Sequence, residues 1–204
     1  MRASSVVLAI LAAVSWAAPS AAEDLTILEV NAPAVNCVFR ASCTIVVTDS
    51  IGHIPMPQLD APNTAWLQSR TFTAEAGAPA AGKTGYLYRV SLTEAAGTGE
   101  CLLGLVLNFG PVAKLPYKPG QMADVFVITT GGLGTIGIKS ATKTGDVIEF
   151  AFATPLCLEA APNIKDTTFF FGLAAATAPM ATKAHIWAPG DPAFYEIDAR
   201  VPTH

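Results

Sequence analysis

Hydrophobic and polar residues alternate with a period of two along most of the chain. In the stretch VIEFAFA, the side chains of Ile148, Phe150 and Phe152 fall on one face of an extended segment, and TGYLYRVSL, CLLGLVLNF and AFYEIDARV alternate in the same way. Because successive side chains of a strand point to opposite faces, this pattern is typical of strands with one buried face. Six further runs are strand candidates: LTILEV, TIVVTDS, WLQSRTF, DVFVITT, TTFFFGLAA and TKAHIWA.

Turn-forming residues separate these runs. The chain has 16 glycines and 15 prolines, many of them in the connections GKTG, GTG, YKPG, TGD and PGDP. Glycine permits a positive φ and proline presets φ, so both favour tight turns over long helices. About ten short strands joined by turns predict an all-β fold, namely an antiparallel β-sandwich of the Ig-like or jelly-roll type.

The longest irregular stretch is HIPMPQLDAPN, residues 53–63, which contains three prolines. A domain boundary at this position would leave too few residues before it to build a separate core. We therefore interpret residues 53–63 as a crossover loop within a single domain that covers residues 23–204.

The first residues have the three parts of a secretory signal peptide. Arg2 supplies the charge, residues 6–16 form a short apolar core, and Ser20, Ala21 and Ala22 are small residues suited to cleavage. The sequence predicts a signal peptide over residues 1–22, cleaved after Ala22, and a secreted or periplasmic protein. No later run is long and apolar enough to span a membrane as a helix.

Charge argues against one class of partner. The formal net charge is −4 at pH 7, and the loss of Arg2 on cleavage makes it one unit more negative. No cluster of lysines and arginines is present along the chain. Because nucleic-acid binding needs several cations on one face, no nucleic-acid partner is predicted.

The four cysteines are predicted to form two disulfides in an oxidising compartment. Three pairings are formally possible, and we favour Cys37–Cys43 and Cys101–Cys157. The stretch CVFRASC is short enough to close a hairpin, whereas Cys101 and Cys157 lie at the ends of predicted strands. Neither a C-x-x-C motif nor a nearby histidine supports a zinc site.

A dinucleotide-like spacing, G-x-G-x-x-G, is present in Gly132, Gly134 and Gly137. In nucleotide-binding folds these glycines turn a strand into a helix whose N-terminus holds the pyrophosphate. Here IKSATKTGDVIEF follows, which has turn residues and then an alternating strand. We therefore predict a loop between strands and no cofactor.

No catalytic or metal site is predicted. The only histidines are His53, His185 and His204, and no serine lies in a G-x-S-x-G motif. Alternation places Glu196 and Asp198 with an arginine on the polar face of one strand, as expected for a solvated surface. No D-x-D-x-D calcium loop is present.

Aromatic residues are the candidate ligand contacts. His185 and Trp187 share the face of their strand opposite Ile186, so both are predicted to point outward. Tyr195 and Trp66 are further candidates, although Tyr195 shares the apolar face of its strand and a place in the core is favoured for Trp66. Exposed aromatic rings on a sandwich can stack on sugars or anchor a protein.

These observations predict an exported, non-catalytic binding protein. Its ligand would be an extracellular or envelope polysaccharide or protein, bound through loops and the aromatic candidates. A first alternative is a structural or self-associating surface protein, because the chain is 51% hydrophobic. A second alternative is a secreted hydrolase with a site assembled across the fold.

Overall fold

The structure, a computed structural model, describes residues 21–163, 166–190 and 194–204. Of the predicted signal peptide, only residues 21 and 22 belong to this part, and both precede the first strand. Residues 1–20 and part of the predicted PGDP turn lie outside the described residues. Among the described residues, no helix has the length and apolarity needed to cross a membrane.

Two six-stranded sheets packed face to face form a β-sandwich, which confirms the predicted fold class. Within the described residues one short helix, α1 (Ala32–Phe39), accompanies them. The strands are, in chain order, β1 (Glu23–Asp24), β2 (Ile27–Asn31), β3 (Thr48–His53), β4 (Trp66–Thr73), β5 (Thr84–Ser91), β6 (Cys101–Asn108), β7 (Leu115–Lys118), β8 (Gln121–Ala123), β9 (Val125–Thr130), β10 (Ile138–Thr144), β11 (Val147–Cys157), β12 (Phe170–Ala175), β13 (Pro179–Trp187) and β14 (Phe194–Pro202).

Sheet 1 has the strand order β1-β10-β11-β6-β13-β14, and sheet 2 has the order β2-β9-β12-β5-β4-β3. The paired strands are antiparallel except β2 and β9, which run parallel. Strands β7 and β8 form a separate hairpin. Each of the ten predicted strands overlaps a strand of the structure, whereas β1, β7, β8 and β10 are additional.

The main core lies between the inner faces of the sheets. The alternating residues Ile148, Phe150 and Phe152 of sheet 1 are all buried there, as predicted. Phe150 packs against Phe171 of sheet 2 with ring centroids 5.0 Å apart. Tyr88 of sheet 2 is fully buried, and its hydroxyl donates a hydrogen bond of 2.7 Å to the backbone carbonyl of Arg200 in β14. The buried polar group is thereby satisfied across the two layers.

A second apolar cluster covers part of the outer face of sheet 2. Helix α1 contributes Val35, Val38 and Phe39 to it, and Phe39 meets Phe72 of β4 edge to face at 4.7 Å. The β7–β8 hairpin packs on the same face. Strands β9 and β12 are consequently buried on both faces, which explains why their sequences are continuous apolar runs rather than alternating ones.

Both predicted disulfides, Cys37–Cys43 and Cys101–Cys157, are present. Cys101 and Cys157 face each other at paired ends of β6 and β11. The predicted hairpin over CVFRASC is wrong, because Cys37 lies in α1 and Cys43 follows the end of that helix. The apolar residues at positions 35, 38 and 39 have helical spacing, and a proline in the first turn favours the start of a helix.

Of the two predicted irregular segments, one prediction is wrong and the other is confirmed. Residues 53–63 are not a crossover, because they join β3 and β4, which are antiparallel neighbours in sheet 2. The segment with Gly132, Gly134 and Gly137 connects β9 to β10 with no helix after it, so the predicted loop is confirmed. Gly134 has φ +112, and a side chain there would overlap the backbone of Thr168. The glycine permits this close packing of two backbones.

Candidate functional site

The four candidate ligand contacts predicted from the sequence do not lie on one surface. His185 and Trp187 are on β13 in sheet 1, and Trp66 is on β4 in sheet 2. Tyr195 lies in the main core between the sheets. Trp66 follows the alternation of β4, in which its neighbour Leu67 is buried in that core. Trp66 is therefore on the outer face of sheet 2, and Trp187 is on the other side of the sandwich.

On sheet 1, His185 is exposed as predicted, and Trp187 is half-buried. The His185 ring meets Phe194 edge to face at 6.2 Å, and with Val106 the two line a shallow hollow of about 290 Å³. The indole of Trp187 lies over Gly104, where a methyl group would overlap it. Among the described residues its buried Nε1 has no hydrogen-bond partner. Trp187 thus packs against β6, on the outer face of sheet 1, whereas Tyr195 points into the main core.

On sheet 2, an ion pair joins β3 to β4. Arg70 donates two hydrogen bonds of 2.8 Å to Asp49, one from Nε to Oδ1 and one from Nη2 to Oδ2. Gln68 donates a third, of 2.9 Å, from Nε2 to Oδ2 of the same carboxylate. This bidentate geometry is the strong form of an arginine–carboxylate pair. The Asp49 carboxylate is therefore occupied on both oxygens.

A second arginine, Arg89 of β5, lies beside this pair, and it forms no ion pair with any acidic side chain in the part of the chain that the structure describes. Its guanidinium carbon is 4.9 Å from the centre of the Trp66 ring and 5.1 Å from that of Phe170. The guanidinium carbon of Arg70 is 4.8 Å from the same Phe170 ring. The Arg89 side chain is half-buried, and within the described part of the chain its buried Nε has no hydrogen-bond partner.

A groove of about 500 Å³ opens next to these residues, between α1, the segment 43–47 and the glycine-containing loop 131–133. We call it the arginine groove and define it by six of its lining residues: Asn36, Thr44, Arg70, Ile128, Leu133 and Phe170. Ile45, Val47 and Leu87 add further aliphatic walls. Phe170 both lines the groove and contacts Arg89, so it connects the unpaired cation to the groove.

The pKa values of the two arginines shift in opposite directions. The hydrogen bonds from Arg70 lower the pKa of Asp49 below its ordinary value, and the same contacts raise the pKa of Arg70. Burial lowers the pKa of Arg89, and the positive charge of Arg70 lowers it further. Asp49 opposes this shift only in part. The outer face of sheet 2 therefore carries one more cation than anion at this place.

The described residues show no group of side chains arranged as in a hydrolase active site. His204 bonds only Asn108 and the carbonyl of Pro202, and in residues 21–163, 166–190 and 194–204 no histidine hydrogen-bonds a serine or a carboxylate. Lys183 forms ion pairs with Asp198 at 2.8 Å and Glu196 at 3.8 Å, so these carboxylates belong to a solvated strand face. The described part also holds no cluster of metal-ligating side chains.

No protein-family model, curated protein or solved structure matches this chain.

The sequence analysis missed the arginine groove, although part of its signal was present. In WLQSRTF, alternation places Trp66, Gln68 and Arg70 on one face, and in TGYLYRVSL it places Arg89 opposite the buried tyrosines. Two strands with arginine on their outer faces indicate a polar patch. Their alignment across β4 and β5 depends on the register that pairs Gln68 with Arg89, which the sequence does not specify.

Proposed function

We propose that the protein is an exported, non-catalytic binding protein, and that its ligand, an extracellular or envelope polysaccharide or protein, binds in the arginine groove. The two disulfides indicate an oxidising environment outside the cytoplasm. The signal peptide predicted from the sequence is consistent with export.

One observation carries the proposal. Arg70 and Phe170 meet at the wall of an open groove of about 500 Å³, which falls in the size range of ligand sites. Such sites combine mainly apolar walls with a few fixed polar groups that orient the ligand. The paired carboxylate of Asp49 fixes the Arg70 side chain in this way, and aliphatic residues form most of the remaining wall.

The groove replaces the aromatic surface predicted from the sequence as the proposed site. Tyr195 is not available at the surface, and Trp187 is packed over β6. The hollow at His185 and Phe194 is smaller and is lined by three residues, of which only His185 offers a polar side chain. Trp66 remains part of the proposed site through its contact with Arg89.

The test is a binding screen with a blocked groove. Purified, oxidised protein is applied to arrays of glycans, envelope polysaccharides and peptides, in parallel with two variants. Thr44→Trp places a large side chain into the groove from an exposed position. Ala181→Trp is the matched control, with the same new side chain on the exposed face of sheet 1. The proposal predicts hits that Thr44→Trp abolishes and Ala181→Trp retains. Arrays without hits, or hits that Thr44→Trp retains, would contradict it.

A further inference from the structure

Arg89 is a half-buried cation for which the described residues provide no ion pair. A half-buried cation loses hydration, and this loss is normally offset by an acidic partner. Asp49 attracts Arg89 only in part, because its carboxylate accepts its hydrogen bonds from Arg70 and Gln68. The rings of Trp66 and Phe170 offset only part of the cost through cation–π contacts.

The geometry prepares Arg89 to receive an anion. A guanidinium group that lies against aromatic rings still has its N–H groups in its own plane, where they can donate to a carboxylate. The Nε of Arg89 is buried and has no hydrogen-bond partner among the described residues. Because that atom is buried, an incoming carboxylate would accept instead from the terminal Nη groups of Arg89, the accessible end of this half-buried side chain.

We propose that Arg89 and the arginine groove together bind a segment of a partner protein that carries a carboxylate side chain next to apolar side chains. The carboxylate would accept hydrogen bonds from Arg89 beside Phe170, and the apolar side chains would occupy the groove. This inference rests on the proposed function and names the chemistry of the ligand.

The lining of the groove favours a protein segment over a polysaccharide. Among the lining residues, polar side chains come only from Asn36, Thr44 and Arg70, whereas sugars need many hydrogen-bonding groups. The surroundings are apolar and exposed: Val46 is 80% exposed, Leu133 59% and Ile51 46%. Apolar side chains around an arginine and aromatic rings are the composition of protein interfaces.

The experiment uses an array of blocked hexapeptides, each with one Asp or Glu among Leu, Val and Ile, paired with the same peptide carrying Asn or Gln instead. The proteins compared are the wild type, Arg89→Met, Arg89→Lys and Lys183→Gln. Lys183→Gln removes one positive charge from sheet 1 as a matched control. Circular dichroism and unfolding of each variant establish that it is folded before its binding is compared.

The wild type is expected to bind acidic peptides about tenfold more tightly than their amide versions, the effect of one charge-assisted hydrogen bond. Arg89→Met should abolish this preference, Arg89→Lys should reduce it, and Lys183→Gln should leave it unchanged. Equal binding of acidic and amide peptides, or the absence of any peptide binding, overturns the inference. Glycan hits blocked by Thr44→Trp would at the same time leave the proposed function standing, so the two can fail separately.

Discussion

Arg70 and Arg89 share one aromatic ring but differ in their electrostatic partners. Their guanidinium carbons lie 4.8 Å and 5.1 Å from the centre of Phe170. Arg70 is held by two hydrogen bonds to Asp49, whereas Arg89 contacts two aromatic rings and forms no ion pair with the described residues. Arg70 therefore stabilises the fold, and Arg89 is the arginine that we propose binds the ligand.

This difference predicts opposite effects on stability. Arg70→Met leaves the Asp49 carboxylate without its main partner and should lower the free energy of unfolding by about 1 kcal/mol, since the pair is partly exposed. Arg89→Met removes an uncompensated cation and places an apolar chain between two rings, so stability should stay equal or rise. Urea unfolding of both variants at neutral pH measures this. A larger loss for Arg89→Met than for Arg70→Met would show that Arg89 is structural.

The Asp49–Arg70 pair also predicts a pH dependence. Hydrogen bonds from Arg70 place the folded-state pKa of Asp49 below its unfolded value of about 3.9. The contribution of the pair is therefore fully present above about pH 5 and is lost as the pH falls through the folded-state pKa. The stability difference between the wild type and Asp49→Asn should be constant from about pH 5 to 7 and should shrink towards about pH 3. A difference that persists undiminished in acid would contradict this assignment.

The two disulfides should contribute unequally. Cys101 and Cys157 are 56 residues apart and Cys37 and Cys43 only 6, so the first closes a much longer loop in the unfolded chain. In the chain-entropy model, replacing both cysteines by serine should cost about 4 kcal/mol for Cys101–Cys157 and about 2 kcal/mol for Cys37–Cys43. Thermal and urea unfolding of the double variants compare them. An equal or reversed order would argue against this model here.

The Cys37–Cys43 disulfide should affect ligand binding more than it affects stability. Cys43 lines the arginine groove, and its bond to Cys37 anchors the segment after α1. The Cys37→Ser, Cys43→Ser variant is expected to bind groove ligands more weakly while remaining folded at room temperature. Unchanged affinity would indicate that the segment 43–47 does not contact the ligand.

The glycine-rich loop supplies a prediction with an internal control. Gly134 has φ +112 and its Cβ position overlaps the backbone of Thr168, whereas a methyl group at Gly137 would meet nothing within 4 Å. Gly134→Ala should therefore destabilise the protein by about 2 kcal/mol or more, and Gly137→Ala should be nearly neutral. Calorimetry of the two variants tests whether this spacing serves packing. Similar losses in both would point to another role for the motif.

The sequence predicts most of the sandwich because one face of each half-buried strand must be apolar. The alternation in VIEFAFA and AFYEIDARV corresponds directly to side chains buried in β11 and β14. In β6 the same argument places Leu103 in the core, but the structure buries Leu102. The register of β6 against β11 shifts between Ala151 and Leu156, near Pro155, and such a local bulge has no simple sequence period.

The proposed binding site is less predictable than the fold, because it depends on the strand register and on a helix that the sequence pattern did not predict. The arginine groove needs Gln68 opposite Arg89 and needs α1 placed over sheet 2. Alternation indicates which face of each strand Arg70 and Arg89 occupy. It does not indicate which strands are neighbours, so without a topology the sequence does not bring the two arginines together.

The most direct test of the account observes Arg89 itself. The Nε–H resonance of Arg89 and the Nε1–H resonance of Trp187 are followed by NMR while a blocked Leu-Asp-Leu peptide is added, with Leu-Asn-Leu as its control. The account predicts a saturable shift of the Arg89 resonance with the acidic peptide only, and no change at Trp187. A saturable shift at Trp187 with none at Arg89, or no saturable shift at either, would contradict it.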